Sequence, residues 1–491
     1  MFNTLTRMGA SAAGDYEIER SLRFNSADDA YLSRTPSSES NRRTWTWSGW
    51  LKRSIMGSVH DLFAAYDGSS AYNIIRIGSN DQLYFQSNTA AIKLTDAKLR
   101  DPSAWYHIVV AIDTTSGTAA DRVIIYINGV RQTLATDNTV TQNTDYFFNT
   151  TNAHTIGAYA NGTSYHLDGY MTEINFVDGT ALTPSSFGET DSDTGAWIPK
   201  KYAGTHGTNG FYLNFSDNSN TTSGTLGDDD SANTNDWTPN NFSVSAGAGN
   251  DSLIDTPTNN YCTFNSVAKV HTGNVTLSQG NLQVACGTVS GGGGVMGSHV
   301  VSSGKWYWEV TVNATSNAAV HIGVLDEQST AYSGVTRYDP GLTAESYSYQ
   351  NNATKYNDNN NVSYGATYTD DDVIGVKLDL DNGTLEFLKN NTSQGEAYSG
   401  LSGGFAPAIG DGSTAGTHTV TANFGQRAFE YSIPAGYKKI CSANLPEPTI
   451  KKGTDYFNSV LYTGTGAEHA ITGVGFSPDL VWTKGRSDSD N

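Results

Sequence analysis

The chain has 491 residues, with 29 Lys and Arg against 49 Asp and Glu, a formal net charge of −20, and only 16% charged residues. At ~100–200 residues per domain there is room for two to four domains, and so acidic a chain, with no long basic run, is excluded from wrapping nucleic acid. No stretch reaches the ~18 apolar residues of a membrane-spanning helix, and aromatics at 11% are too frequent for wholesale disorder.

Residues 1–20 are short of apolar anchors, carry no signal-peptide pattern, and are read as an N-terminal anchor or docking segment. Strand patterns then recur between turns. Ser21-Leu22-Arg23-Phe24 comes first, followed by Trp45-Thr46-Trp47-Ser48-Gly49-Trp50-Leu51. Trp45 and Trp47 share one parity, whereas Trp50 has the other and marks a bulge or a second packed face. Further strand signals follow at residues 62–66, 72–77, 83–86 and 105–112. Residues 122–127 run into Asn128-Gly129, a hairpin signal, and residues 155–159 and 169–177 continue the pattern. Many short strands spaced by turn residues predict an antiparallel β-sandwich over 21–190.

Residues 191–261 are polar. They are read as one closing strand, Phe211-Tyr212-Leu213-Asn214-Phe215, and a linker tied down by aromatics such as Trp237 and Phe242. A second β-rich block spans 262–445 and includes Lys305-Trp306-Tyr307-Trp308-Glu309-Val310. Within it, residues 373–380 and 384–388 flank the turn Asp381-Asn382-Gly383. Residues 446–452 form a Pro-rich linker, and residues 453–491 begin a further β-rich domain or an interface segment. Three cysteines, Cys262, Cys286 and Cys441, cannot build a disulfide framework. Three buried apolar thiols is the favoured reading, and one pair plus a free thiol is the alternative. The fold class expected is all-β: two antiparallel sandwiches and the start of a further β-rich segment.

Two family resemblances rest on particular residues. Ser21-Leu22-Arg23-Phe24, the Trp45–Trp50 run, Trp105-Tyr106-His107-Ile108-Val109-Val110, Tyr126-Ile127-Asn128-Gly129 and Leu167-Asp168-Gly169-Tyr170-Met171-Thr172-Glu173-Ile174 resemble a laminin-G-like, concanavalin-A-like jelly roll. Ser303-Gly304-Lys305-Trp306-Tyr307-Trp308, His321-Ile322-Gly323-Val324, Tyr364-Gly365, Asp372-Val373-Ile374-Gly375-Val376, Phe405-Ala406-Pro407-Ala408 and Asn423-Phe424-Gly425-Gln426 resemble a SPRY (B30.2-like) domain. The pairing, with Gly473-Val474-Gly475-Phe476-Ser477-Pro478-Asp479-Leu480-Val481-Trp482 after it, resembles structural proteins of tailed, particularly marine, bacteriophages. That resemblance implies a virion protein, with a tail appendage favoured over the capsid surface. It also implies other virion proteins as neighbours and a homo-oligomer, with a trimer favoured.

The concanavalin-like fold also hosts glycosidases, which need two carboxyls about 5–5.5 Å apart when retaining. Glu173 with Asp178, Asp379 with Asp381, and Asp370 to Asp372 are the candidate pairs. None forms a paired-carboxylate strand next to several aromatics, so the chain reads as non-catalytic. No histidine pair has metalloprotease spacing and no Cys/His cluster has zinc spacing. His107 and His321 alternate inside strands and read as structural. Asp228, Asp229 and Asp230 are the calcium candidates by donor chemistry, although they lack the spacing of an EF-hand loop; a solvated acidic loop is the favoured reading and no other cofactor is expected.

Binding through rim loops is the function these residues favour. Tyrosine offers a rigid amphipathic surface and asparagine adaptable hydrogen bonds. The candidate ligand-binding residues are Tyr159, Asn161 and Tyr165 in the first sandwich and Tyr338, Tyr347, Tyr349 and Tyr364 in the second. The expected partner is a host-surface glycan or protein, with no nucleic acid and no membrane insertion. The reading is a phage tail fibre or receptor-binding component. The alternative is a structural or decoration protein whose sandwiches act as spacers and assembly interfaces.

Overall fold

The structure is a computed structural model that describes residues 16–485, except 70, 89, 160–161, 271–273, 288–292, 317–318, 327–339 and 413–415. Its strands form two antiparallel β-sandwiches in sequence order. In the first, one eight-stranded sheet centres on Trp105–Asp113, Thr44–Arg53 and Gly169–Asp178, with Ser21–Phe24 next in order. The facing eight-stranded sheet runs through Ala90–Lys98, Gln82–Ser87, Tyr72–Ile77, His60–Tyr66, Ala153–Ile156 and Tyr31–Arg34.

Side-chain alternation explains the layering. Trp45 and Trp47 point between the sheets, where Trp45 meets Phe148 at 4.9 Å and Phe63 stacks on Phe148 at 4.6 Å. Trp50 points the opposite way and joins the core cluster that the second sandwich builds. Of the two readings of its parity the second packed face holds; the strand of Trp50 runs in unbroken register with Trp105–Asp113, and the bulge lies in the neighbouring strand, between Thr172 and Asn175. At Asn128 and Gly129, φ is 48° and 78°, the left-handed pair that a two-residue hairpin turn requires.

The polar segment 191–261 does more than close and link. Phe211–Leu213 pairs with Gly169–Asp178, Thr238–Asn240 with Tyr31–Arg34, and Ser252–Leu253 with Ser21–Phe24. Trp237 is buried between the sheets, 4.9 Å from Phe211. The segment therefore supplies strands to both sheets of the first sandwich.

In the second sandwich two seven-stranded sheets enclose Trp306, Trp308, Ile322, Tyr349, Ile374, Phe387 and Phe424. Val373–Asp379 and Thr384–Lys389 pair as the hairpin expected at Asp381-Asn382-Gly383. The three cysteines are free and buried, and burial pushes the Cys262 thiol up to about 11.

The two sandwiches meet across the outward face of the Thr44–Arg53 sheet. Trp50, Trp105 and Tyr170 enter the core of the second sandwich, and Tyr170 donates its hydroxyl proton to the Gly280 carbonyl at 2.6 Å. Lys52 sits at the centre of this contact. Its Nζ donates to Asp255 Oδ2 at 2.7 Å, Asn260 Oδ1 at 2.8 Å and the Tyr261 carbonyl at 2.9 Å. All three ammonium protons are used. The other Asp255 oxygen accepts from Trp105 Nε1 at 3.2 Å.

The C-terminal segment departs from expectation. Among the described residues from 446 onward there is no strand, only a helical turn at Gly453–Asp455. Phe457, Leu480 and Trp482 are 79%, 87% and 89% exposed. Among the described residues no second layer covers the apolar pattern that predicted strands, and a strand without one gains nothing from burial.

Replacing Lys52 with Met leaves the buried Asp255 carboxylate without its cation, a loss of about 3–5 kcal/mol. Denaturant unfolding of Lys52→Met should show that loss; the double variant Lys52→Met/Asp255→Leu should recover a large part of it.

Candidate functional site

The sheet that faces away from the second sandwich presents a cluster of tyrosines. His60–Tyr66 and Tyr72–Ile77 are a hairpin in which Tyr66 pairs with Tyr72 and Asp61 with Arg76. Alternation sends Tyr72, Ile74 and Arg76 to one face. The loop after Ala153–Ile156 then folds across them. It is closed by Leu167 N donating to the Gly157 carbonyl at 2.8 Å and held to the sheet by Asp61 N donating to the Tyr165 carbonyl at 3.0 Å. Gly162, at φ +77°, is required at the turn because a Cβ there would sit 2.2 Å from the Tyr31 ring.

This loop brings the two sequence candidates together. The Tyr159 ring lies 6.0 Å from Tyr165, 5.3 Å from Tyr72 and 5.9 Å from Tyr66. The Arg76 guanidinium lies 4.6 Å from the Tyr165 centroid and 6.0 Å from that of Tyr159, a cation–π distance. Arg76 is in turn fixed by Asp61, Nε to Oδ1 at 2.6 Å and Nη2 to Oδ2 at 3.0 Å. This bidentate fork holds the planar group in one orientation. Burial raises the Asp61 carboxyl to about 6, although Arg76 pulls the other way. Burial, with Tyr72 and Tyr66 alongside, raises the Tyr159 phenol, so it stays a neutral donor. Tyr165 is 46% exposed. The result is a semi-exposed aromatic surface on a rigid sheet, with hydroxyls at its margin: Gln86 Nε2 donates to the Tyr72 hydroxyl at 3.2 Å. Asn161 lies outside the described residues.

Sequence reading missed Tyr66, Tyr72, Arg76 and Asp61. Their signal is the period-two run Tyr72-Asn73-Ile74-Ile75-Arg76 after the turn Asp67-Gly68. Only the sheet register shows that Tyr159 and Tyr165 come to rest on that run.

The second sandwich uses its tyrosines inside. Tyr349 is fully buried, 4.9 Å from Tyr368 and 5.4 Å from Phe387, and its hydroxyl donates to the Ala366 carbonyl. It is core and not a ligand contact. Tyr364 is half-buried against Tyr349 and donates to the Gly395 carbonyl at 2.6 Å. Tyr347 packs on Tyr398 at 5.0 Å and Phe405 at 6.0 Å. Ring packing and backbone carbonyls therefore consume these side chains. Tyr338 lies outside the described residues.

The acidic candidates are also accounted for. Asp229 accepts from the backbone N–H groups of Tyr212, Ser231 and Asn235 at 2.8, 3.0 and 2.9 Å, so its carboxylate braces a loop. Partial burial and neighbouring carboxylates raise Asp228 and Asp230. Among the described residues no group of three or more His, Cys, Asp or Glu could hold a metal ion. Asp379 accepts from Asp381 N, Asn382 N and Lys305 Nζ, a turn brace. Asp178 accepts from Asn41 N, Asn149 Nδ2 and Asn209 N. His107 is buried between Trp50 and Trp197, at 4.9 and 5.9 Å, and burial lowers its pKa to about 3. His321 is buried and bonded to Ser348.

Asp61→Asn leaves Arg76 without its counter-charge. Unfolding should show a loss of about 3 kcal/mol with a weaker near-ultraviolet tyrosine signal. Asp145→Asn, which breaks the exposed Arg43–Asp145 pair, should leave the unfolding midpoint essentially unchanged.

Comparison with known proteins matches three segments. Residues 25–186 match the concanavalin A-like lectin/glucanases superfamily, residues 305–427 the SPRY domain, and residues 452–491 a domain of unknown function, DUF7483. A probable ATP-dependent RNA helicase ddx1 of Dictyostelium discoideum is 27% identical over 154 residues, 31% of this chain and 18% of that protein. Protein ssh4 of Neurospora crassa is 30% identical over 185 residues, 34% of this chain and 35% of that protein. The chain thus spans about a fifth and about a third of these two curated relatives. The SPRY domain of human HERC1 is similar at 17% identity and a TM-score of 0.29, covering 34% of this chain and 99% of that one. The TRIM65 PSpry domain is similar at 20% identity and a TM-score of 0.27, covering 33% and 89%. The chain carries a concanavalin A-like domain followed by a SPRY domain.

Proposed function

We propose that this chain is a non-catalytic recognition protein that binds a glycan through the tyrosine surface of its concanavalin A-like sandwich. The observation that carries the reading is the cluster of Tyr66, Tyr72, Tyr159 and Tyr165 around an Arg76 held by Asp61. Sugar C–H faces pack on aromatic rings, and ring hydroxyls pair with phenol and amide groups at the margin. Domains of both matched families are typically binding modules, and the candidate carboxylates are engaged in bracing loops and turns.

The wider setting follows from the resemblance of the domain pairing to tailed-phage structural proteins. On that reading the chain is a tail-fibre or receptor-binding component of a virion, trimeric, with a host-surface glycan or protein as its target. A second reading has its own observation. The exposed apolar side chains of Phe457, Leu461, Leu480 and Trp482 suit an assembly contact, as a tail or capsid decoration protein would need.

Glycan-array binding by the full chain, followed by Tyr72→Ala and Tyr165→Ala, tests the first reading. Truncating a central aromatic contact costs more than ~1 kcal/mol, so each variant should lose about tenfold in affinity with an unchanged melting midpoint. Tyr398→Ala, in the second sandwich, should bind like the parent. Binding that survives both substitutions would sink the assignment, and immunogold labelling of virions would separate tail tip from head.

A further inference from the structure

The described part of the N-terminal segment, residues 16–20, crosses the first sandwich at the bulge in Gly169–Asp178. Thr172 Oγ1 donates to the Arg20 carbonyl at 2.7 Å, and Ile18 N donates to Thr258 Oγ1 at 3.1 Å. At the bulge Glu173 adopts φ +54° and is only 6% exposed. The Tyr16 hydroxyl lies 2.8 Å from Glu173 Oε2, and the Tyr212 hydroxyl lies 2.7 Å from Oε1. The two hydroxyls are themselves 2.8 Å apart.

Proton counting on this ring is decisive. Three oxygen–oxygen contacts at hydrogen-bond length need one proton each. Two tyrosines supply two. An ionised carboxylate supplies none: both hydroxyls then donate to it and face each other lone pair to lone pair. A neutral acid supplies the third proton, and every contact becomes a hydrogen bond. We propose that Glu173 is held as a neutral carboxylic acid and that its ring with Tyr16 and Tyr212 is a proton-dependent clasp holding the N-terminal segment on the first sandwich.

The surrounding groups fit this assignment. Burial is the largest influence on Glu173 and raises it to about 7; Asp230 adds to the rise, while Lys201 and the two tyrosine hydroxyls oppose it. Burial and Glu173 push both tyrosines well above the ordinary phenol range, so they stay protonated throughout. Asp229 meets Tyr212 through its backbone N–H. His206 stacks on the Tyr212 ring at 6.2 Å, and burial lowers its own pKa. A carboxyl raised from 4.5 to about 7 contributes stability that is complete below 4.5 and is lost as pH rises through 7. The clasp is therefore tightest in acid and loosens between pH 4.5 and about 7, the reverse of an ordinary carboxylate contact.

The test uses the full chain. Infrared difference spectra of the parent against Glu173→Gln should show a protonated-acid carbonyl band that titrates near the midpoint. Amide exchange of residues 16–20, corrected for intrinsic rate, is read at about pH 5.5 and about pH 8.5; protection should fall about tenfold per pH unit on approaching the midpoint from below and level off above it. Glu173→Gln places an amide N–H where the acid proton was, so its protection should not change with pH. Tyr16→Phe opens the ring and should exchange fast at both values. A parent with no protonated-acid band below neutral pH, or with protection as flat as that of Glu173→Gln, would overturn the proposal. The infrared titration of the parent decides the matter if a variant fails to fold.

Discussion

The buried ammonium of Lys52 is the constraint on which the arrangement of this protein depends. Removing an ammonium and a carboxylate from water costs several kcal/mol per ion, and that cost is offset only if every proton and lone pair is engaged. Lys52 meets that condition with Asp255, Asn260 and the Tyr261 carbonyl, all contributed by the chain between the sandwiches. Both side chains are at most 1% exposed. The contact therefore anchors the connecting chain on the first sandwich, beside Trp50, Trp105 and Tyr170, which are buried with the core of the second. A second charged contact supports it: Arg23 pairs with Asp251 at 2.9 Å and donates to the Gln279 carbonyl.

That placement decides which surface is left for recognition. The outward face of the sheet containing Thr44–Arg53 is covered, partly by the second sandwich and partly by the hairpin of Gly188–Thr190 and Trp197–Pro199, whose Trp197 donates to His107 Nδ1 at 3.0 Å. The opposite sheet of the first sandwich carries the tyrosine cluster. The Asp61–Arg76 fork organises that cluster as the Lys52 contact organises the interface: a buried carboxylate sets one cation in one orientation, and aromatic rings pack on the result. The second sandwich spends its tyrosines differently. Tyr349, Tyr364 and Tyr368 pack on one another in and beside its core, so the same residue type serves packing in one domain and presentation in the other.

Much of the fold was legible along the chain. Period-two patterns, Asn-Gly and Asp-Gly turns and the tryptophan runs are local signals, and they located two sandwiches and most of their strands. The segment 191–261 was only partly legible, since Thr238–Asn240 and Ser252–Leu253 are too short and polar to announce themselves and are strands only because edge partners await them. Residues 453–485 have a strand-like apolar spacing, but among the described residues they form no strand and no second layer covers them. Of the candidate site, Tyr159 and Tyr165 were visible as a tyrosine-bearing rim loop, while Tyr66, Tyr72, Arg76 and Asp61 belong to a hairpin about 90 residues earlier.

By itself, then, the amino-acid sequence determined the all-β class, the order of the two sandwiches, the absence of a disulfide framework and the inward parity of Trp45 and Trp47. Each follows from neighbours a few residues apart, whose steric and hydrophobic preferences act locally. Tertiary structure alone decided that Trp50 faces a second domain, that Tyr349 is core while Tyr165 is exposed, and that Glu173 meets two hydroxyls. Those outcomes depend on groups distant in the chain, 157 residues apart for Tyr16 with Glu173 and 39 for Tyr212 with Glu173, and only the closed sheets and the shared interface set their distances.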